Sequence, residues 1–81
     1  MIVRIRLFAV ARQVVGCDSV ELELAEKATI TQLRRAMADQ IPELAGLVGH
    51  MTFAVDTEYA DDKTKISPNA EIACIPPVSG G

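Results

Sequence analysis

The chain has 81 residues, a formal net charge of −3 and 49% hydrophobic residues, which is one small domain too apolar to be disordered. Its eight basic residues are scattered among eleven acids, so a phosphate-tracking patch, and with it nucleic acid as a partner, is not expected. No apolar run reaches the length of a membrane span and Met1 leads straight into an alternating pattern, so no membrane association and a cytoplasmic location are expected.

Ile2 to Phe8 alternates, with Val3, Ile5 and Leu7 on one side and Arg4, Arg6 and Phe8 on the other. That period of two predicts a half-buried strand. Phe8 breaks the polar side, either as an apolar contact for a partner or as a side chain that turns inward where the strand ends. Ala9 to Val15 has helical composition, and Gly16 is placed to stop it in the left-handed region. After a loop at Cys17-Asp18, Val20, Leu22 and Leu24 form the inner side of a second strand, with Glu21 and Glu23 outside. Arg4 and Arg6 are expected to face those glutamates across the ladder, chiefly as a solvated charged surface.

Thr29 opens the main helix, and Gln32 three residues later completes the spacing of a capping box. Ile30, Leu33, Met37 and Ile41 recur at helical spacing and predict an amphipathic helix packed on a sheet. Pro42 ends it, and Leu44 and Leu47 are expected to reach the core from a short turn. Gly49-His50 reads as a turn. Met51, Phe53 and Val55 predict a third strand, Asp56-Thr57 a tight turn, and Glu58 to Ala60 a short returning strand that carries Tyr59. Ile66 is an apolar anchor within the polar connection, and Ser67-Pro68-Asn69 a turn. Glu71 to Ile75 is the last strand, with Ile72 and Cys74 inward and Ala73 and Ile75 outward. Strands on either side of one long helix predict an α+β two-layer domain with a mixed sheet.

Two cysteines and a single histidine, with no CxxC pair, fall short of a zinc or iron–sulfur ligand set, so no metal is expected. Cys74 reads as a core residue and Cys17 as an exposed thiol. No nucleophile–base or paired-carboxylate constellation stands out elsewhere.

The one unusual stretch is Pro76-Pro77-Val78-Ser79-Gly80-Gly81. The prolines fix φ and stiffen the exit from the last strand. The glycines, lacking Cβ, suit a slot too narrow for other residues. Six extended residues reach at most roughly 20 Å, beyond the roughly 12 Å radius of gyration of such a domain. Residues 1–75 are therefore expected to form the domain and 76–81 an extended tail whose Gly81 carboxylate is the functional group.

Leu7-Phe8-Ala9 leading to Val15-Gly16, the Ala54-Val55-Asp56 turn region and above all the Pro-Pro-Val-Ser-Gly-Gly ending resemble the molybdopterin synthase small-subunit family from end to end. The chain departs from that pattern at Asn69-Ala70, where Gly-Asp is common, and at Cys74-Ile75, where aromatics are common. The resemblance implies a β-grasp (ubiquitin-like) fold with one main helix across a mixed sheet. It implies a sulfur carrier in molybdenum cofactor biosynthesis, the non-catalytic sulfur-donating subunit of a sulfurtransferase heterotetramer. Gly81 would be adenylated and thiocarboxylated, with Gly80 giving clearance. No cofactor would be bound, and ATP would be used by the activating partner. The implied partners are the synthase large subunit, an adenylating (E1-like) enzyme and a sulfur donor. Phe8, Tyr59, Ile75, Pro76, Pro77, Val78 and Ser79 would contact them, because in this fold the first strand lies beside the last. A carrier for thiamin or tRNA thiolation, a protein modifier joined through Gly81, and a plain interaction module are the alternatives.

Overall fold

The computed structural model describes residues 1–77. Five strands form one mixed sheet: β1 (Ile2–Leu7), β2 (Ser19–Glu23), β3 (Thr52–Val55), β4 (Glu58–Ala60) and β5 (Glu71–Ile75). Their order is β2-β1-β5-β3-β4, so the last strand lies at the centre. β1 runs antiparallel to β2 and parallel to β5, and β3 runs antiparallel to both β5 and β4. Helix α1 (Ala9–Val15) follows β1 directly, and the longer α2 (Ile30–Gln40) follows β2. The α+β two-layer expectation holds.

Alternation along the strands sorts side chains by face. Val3, Ile5 and Leu7 of β1, Leu22 of β2, Phe53 of β3, and Ile72 and Cys74 of β5 are all buried. Ile30, Leu33 and Met37 of α2 meet them with no exposed surface, as the helical spacing requires. Leu44 and Ile66 close the core from the connections, both buried. Val20 and Leu47, expected inside, are only half-buried, and Val48 reaches the core after Leu47 instead.

Element ends follow local chemistry. The capping box at α2 forms in full: the Gln32 amide donates to Thr29 Oγ1, and the Thr29 amide donates to Gln32 Oε1 at 2.8 Å. Ile41 lies outside the helix at ψ 80° because Pro42 excludes the residue before it from the α region. Two 3-10 turns follow, Pro42–Leu44 and Val48–His50, and they lead into β3 at Thr52. Met51 is thus buried just ahead of the strand rather than within it. Gly16 caps α1 at φ 83°, its amide donating to the Arg12 carbonyl.

Arg34 binds the layers together in a way its place among the polar positions of α2 did not suggest. Its Nη1 donates to the carbonyls of Val48 and Met51, the latter at 2.6 Å, and its Nε donates to Asp62 Oδ1 at 2.9 Å. The guanidinium carbon lies 4.9 Å from the Phe53 ring centroid, within cation–π range. One side chain therefore ties α2 to the 3-10 turn, to β3 and to the loop after β4. That loop is further held to the start of α2 by Ile30 N to Thr64 O (3.1 Å) and Ile66 N to Ala28 O (2.8 Å).

Candidate functional site

Both helices follow their strands onto the inner layer, so among the described residues the other face of the sheet is made mainly of what its own strands present. The register reads that face off row by row. One row runs Ser19, Arg6, Ala73, Ala54, Tyr59 from β2 to β4. The row toward the chain's N-terminus places Arg4 between Glu21 and Glu71. The row on the other side places Ile75 beside Thr52. Phe8 and Ile75 each come one residue after the paired Leu7 and Cys74, so they emerge side by side at the same end of the sheet.

Phe8 does not extend the strand: it is the residue before α1, with φ −126° and ψ 155°. Ala9 then turns the chain at φ 52°, in the left-handed region that costs a residue with a Cβ. The turn leaves the Phe8 side chain 40% exposed, with the Arg6 guanidinium carbon 5.7 Å from its ring centroid. The inward reading of Phe8 is thereby set aside. Tyr59 is 79% exposed on β4, and Ile75 is half-buried. Strand spacing puts Phe8 and Tyr59 three strands apart, roughly 14 Å. Ala73 and Ala54 lie in the row that leads to Tyr59, and Ile75 and Thr52 in the row beside Phe8, so small side chains form a low floor next to Tyr59.

The neck is split in its burial. Pro76 is buried against the domain and Pro77 is exposed. Val78, Ser79, Gly80 and Gly81 lie outside the described residues, so the geometry here concerns the place where the tail departs. That place is the end of the central strand, beside Phe8 and Ile75.

The remaining expectations divide. Arg4 does stand opposite Glu21, but Arg6 stands opposite Ser19 and Glu23 opposite Ile2. Glu23 instead lies 3.6 Å from the Met1 ammonium. His50 is exposed. Cys17 is exposed and free, and Cys74 is buried and free beside Met51 Sδ. Burial pushes the Cys74 thiol up to about 11, with the Arg34 charge partly opposing it. It therefore stays a neutral thiol at physiological pH, the unreactive form. Among the described residues no three His, Cys, Asp or Glu side chains gather as a metal group, and no helix is long and apolar enough to cross a membrane. Sequence reasoning placed Arg6 and Ala73 on this outer face without giving them a role, and it missed Ala54 as a member of it. The signal available for the alanines was their small size at outward strand positions.

Comparison with known proteins bears on the same features. A molybdopterin synthase sulfur carrier subunit from Dictyostelium discoideum is 38% identical over 81 residues, covering 96% of this chain and 94% of that one. The crystal structure of SAMP1, a small archaeal modifier protein from Haloferax volcanii, superposes with a TM-score of 0.85 at 26% identity, covering the whole of both chains. Subunit 1 in a complex of subunits 1 and 2 of the molybdopterin-converting factor from Helicobacter pylori superposes at 0.69 with 22% identity, again over both chains, and supports the fold. These neighbours are ubiquitin-like β-grasp proteins, as the sheet order and single long helix require. The ThiS family model matches residues 5–81, from the second half of β1 through the Gly-Gly ending, and on that match the chain belongs to the ThiS family.

Proposed function

We propose that this chain is the sulfur carrier subunit of a molybdopterin synthase and that Gly81 carries the sulfur. The observation that carries this reading is the 38% identity, over nearly the whole of both chains, to a protein of that name. The placing of the tail exit supports it: the neck leaves the central strand beside Phe8 and Ile75, with Tyr59 beside the alanine floor.

A carboxylate is a poor acyl donor because its oxygen leaves poorly. An adenylating enzyme would join the Gly81 carboxylate to the AMP part of ATP and release pyrophosphate. A sulfide-level donor then attacks the carbonyl carbon; the C–S bond forms, the C–O bond to AMP breaks, and a thiocarboxylate remains. In the large subunit's site that sulfur attacks a carbon of the cyclic pterin precursor; the new C–S bond forms as a C–O bond of the precursor breaks, its oxygen leaving with the phosphate or as water. Water then cleaves the acyl–sulfur bond and returns the carboxylate. Two rounds supply the two sulfurs of the dithiolene. The large subunit provides acid–base groups, and this chain provides delivery.

Phe8, Tyr59, Ile75, Pro76 and Pro77 form the docking face in this reading, with Val78, Ser79 and Gly80 threading the tail. One face serving both the adenylating enzyme and the large subunit makes the two complexes mutually exclusive. The likeness to SAMP1 favours a second reading, a modifier conjugated through Gly81. Intact mass after incubation with ATP, an adenylating enzyme and a sulfur source separates them. Replacement of one oxygen by sulfur supports the carrier, and attachment to other proteins supports the modifier. Deleting Gly81 is expected to abolish sulfur transfer and leave the thermal melt unchanged. Molybdopterin formation by that variant sinks the proposal.

A further inference from the structure

Arg4 and Arg6 project from the same side of β1, two residues apart, yet their surroundings differ. Arg4 has Glu21 directly opposite on β2 and Glu71 directly opposite on β5. Arg6 has Ser19 on one side and Ala73 on the other. The remaining acid of this groove, Asp18, is 3.7 Å from Arg12. The groove has a volume of about 530 Å³, and its charged lining is Arg4, Arg6, Asp18, Glu21 and Glu71. All three acids thus stand beside another arginine. Among the described residues no carboxylate lies within 4.0 Å of Arg6 or of Arg4, so the two differ in the acids set opposite Arg4 across the sheet rather than in a formed ion pair.

Arg6 is also the charge that joins the groove to the apolar end of the face. Its guanidinium rests 5.7 Å from the Phe8 centroid, and next to it in the row stands Ala73, followed by Ala54. A guanidinium against a ring keeps its N–H edges free for bidentate bonds to a carboxylate. A partner that covers Phe8, Ile75 and Tyr59 also covers Arg6 and removes its water. An uncompensated charge in such a place is costly, so the covering surface must answer it.

We propose that Arg6 determines specificity on this face, and that the partner surface seated over Phe8 and Ala73 carries a carboxylate that pairs with it. This rests on the sulfur carrier reading, with the synthase large subunit as the partner. Arg4, already placed between two glutamates, contributes little.

The test is binding of the full-length chain to that large subunit, by titration calorimetry at about 50 and about 300 mM salt, near the extremes over which exposed charge pairs are screened. Arg6→Gln is expected to weaken binding about tenfold at low salt and to flatten the salt dependence. Arg6→Lys keeps the charge without the fork and should fall between wild type and Arg6→Gln. Arg4→Gln should change affinity less than about twofold. Neutralising the partner's paired carboxylate should cause no further loss in the Arg6→Gln background. Tight binding by wild type with equal effects of Arg6→Gln and Arg4→Gln, or with none from Arg6→Gln, overturns this inference alone. Failure of the wild-type chain to bind the large subunit overturns the carrier reading, and this inference with it.

Discussion

The two faces of the sheet are made by the same five strands and obey different rules. On the inner face Ile5, Phe53, Ile72 and Cys74 meet Ile30, Leu33 and Met37, all essentially without exposed surface. What matters there is volume, since close-packed interiors respond to the loss of a single methylene. The outer face is a mixture of Arg4, Arg6, Ala54, Ala73, Tyr59 and Ile75, with nothing from this chain packed across it among the described residues. What matters there is which atoms a partner meets. A side chain's face therefore predicts whether its loss is felt in folding or in binding.

The sharpest break of that comparison sets two aromatics on adjacent strands against each other. Phe53→Ala empties a fully buried site and is expected to cost about 3–5 kcal/mol. Tyr59→Ala, on the strand next to it, should stay within about 0.5 kcal/mol of wild type while weakening partner binding. Urea unfolding of the two variants checks this, and comparable losses would mean that Tyr59 is structural.

A smaller effect separates neighbouring arginines on α2. Arg34→Ala leaves the Val48 and Met51 carbonyls without their donor and is expected to cost about 2 kcal/mol. Arg35→Ala, on the exposed side, should be nearly silent. Hydrogen exchange at the 3-10 turn Val48–His50 should quicken in the first variant and not in the second. The smallest expected change is a gain. Asp56 and Thr57 both take positive φ (50° and 71°) in the two-residue turn between β3 and β4. A β-branched residue is strained there, and Thr57→Gly should raise stability by about 1 kcal/mol. The shift of the thermal midpoint measures it, and a fall would show that the Thr57 side chain contributes more than its backbone costs.

Most of the inner face was legible in the sequence because alternation and helical spacing are local. The capping box at Thr29 and Gln32 and the stop at Pro42 were legible for the same reason. The role of Arg34 was not, since its acceptors and the ring under it belong to segments that only the fold brings near. The contrast between Arg4 and Arg6 was equally hidden. Both sit on the same face, and a two-residue slip of β2 or β5 would change their neighbours without turning any side chain inward. Phe8 was legible as an anomaly, but its exposure depends on the positive φ of Ala9, which nothing in a Phe-Ala pair announces. The tail itself was read from its residues, and its exit point came from β5 lying at the sheet's centre.

That central placement also governs how the protein can be made. Until Ile75 has been synthesised, β1–β2 and β3–β4 are two separate hairpins, each marginal alone and each with an unpaired inner edge. The last strand joins them by pairing with β1 on one side and β3 on the other. Long-range closure of this kind is slow compared with local structure formation. The nascent domain therefore stays incomplete until β5 has been made. A frameshift or early stop anywhere before β5 leaves no smaller folded carrier, only two open edges for chaperones or proteases to find.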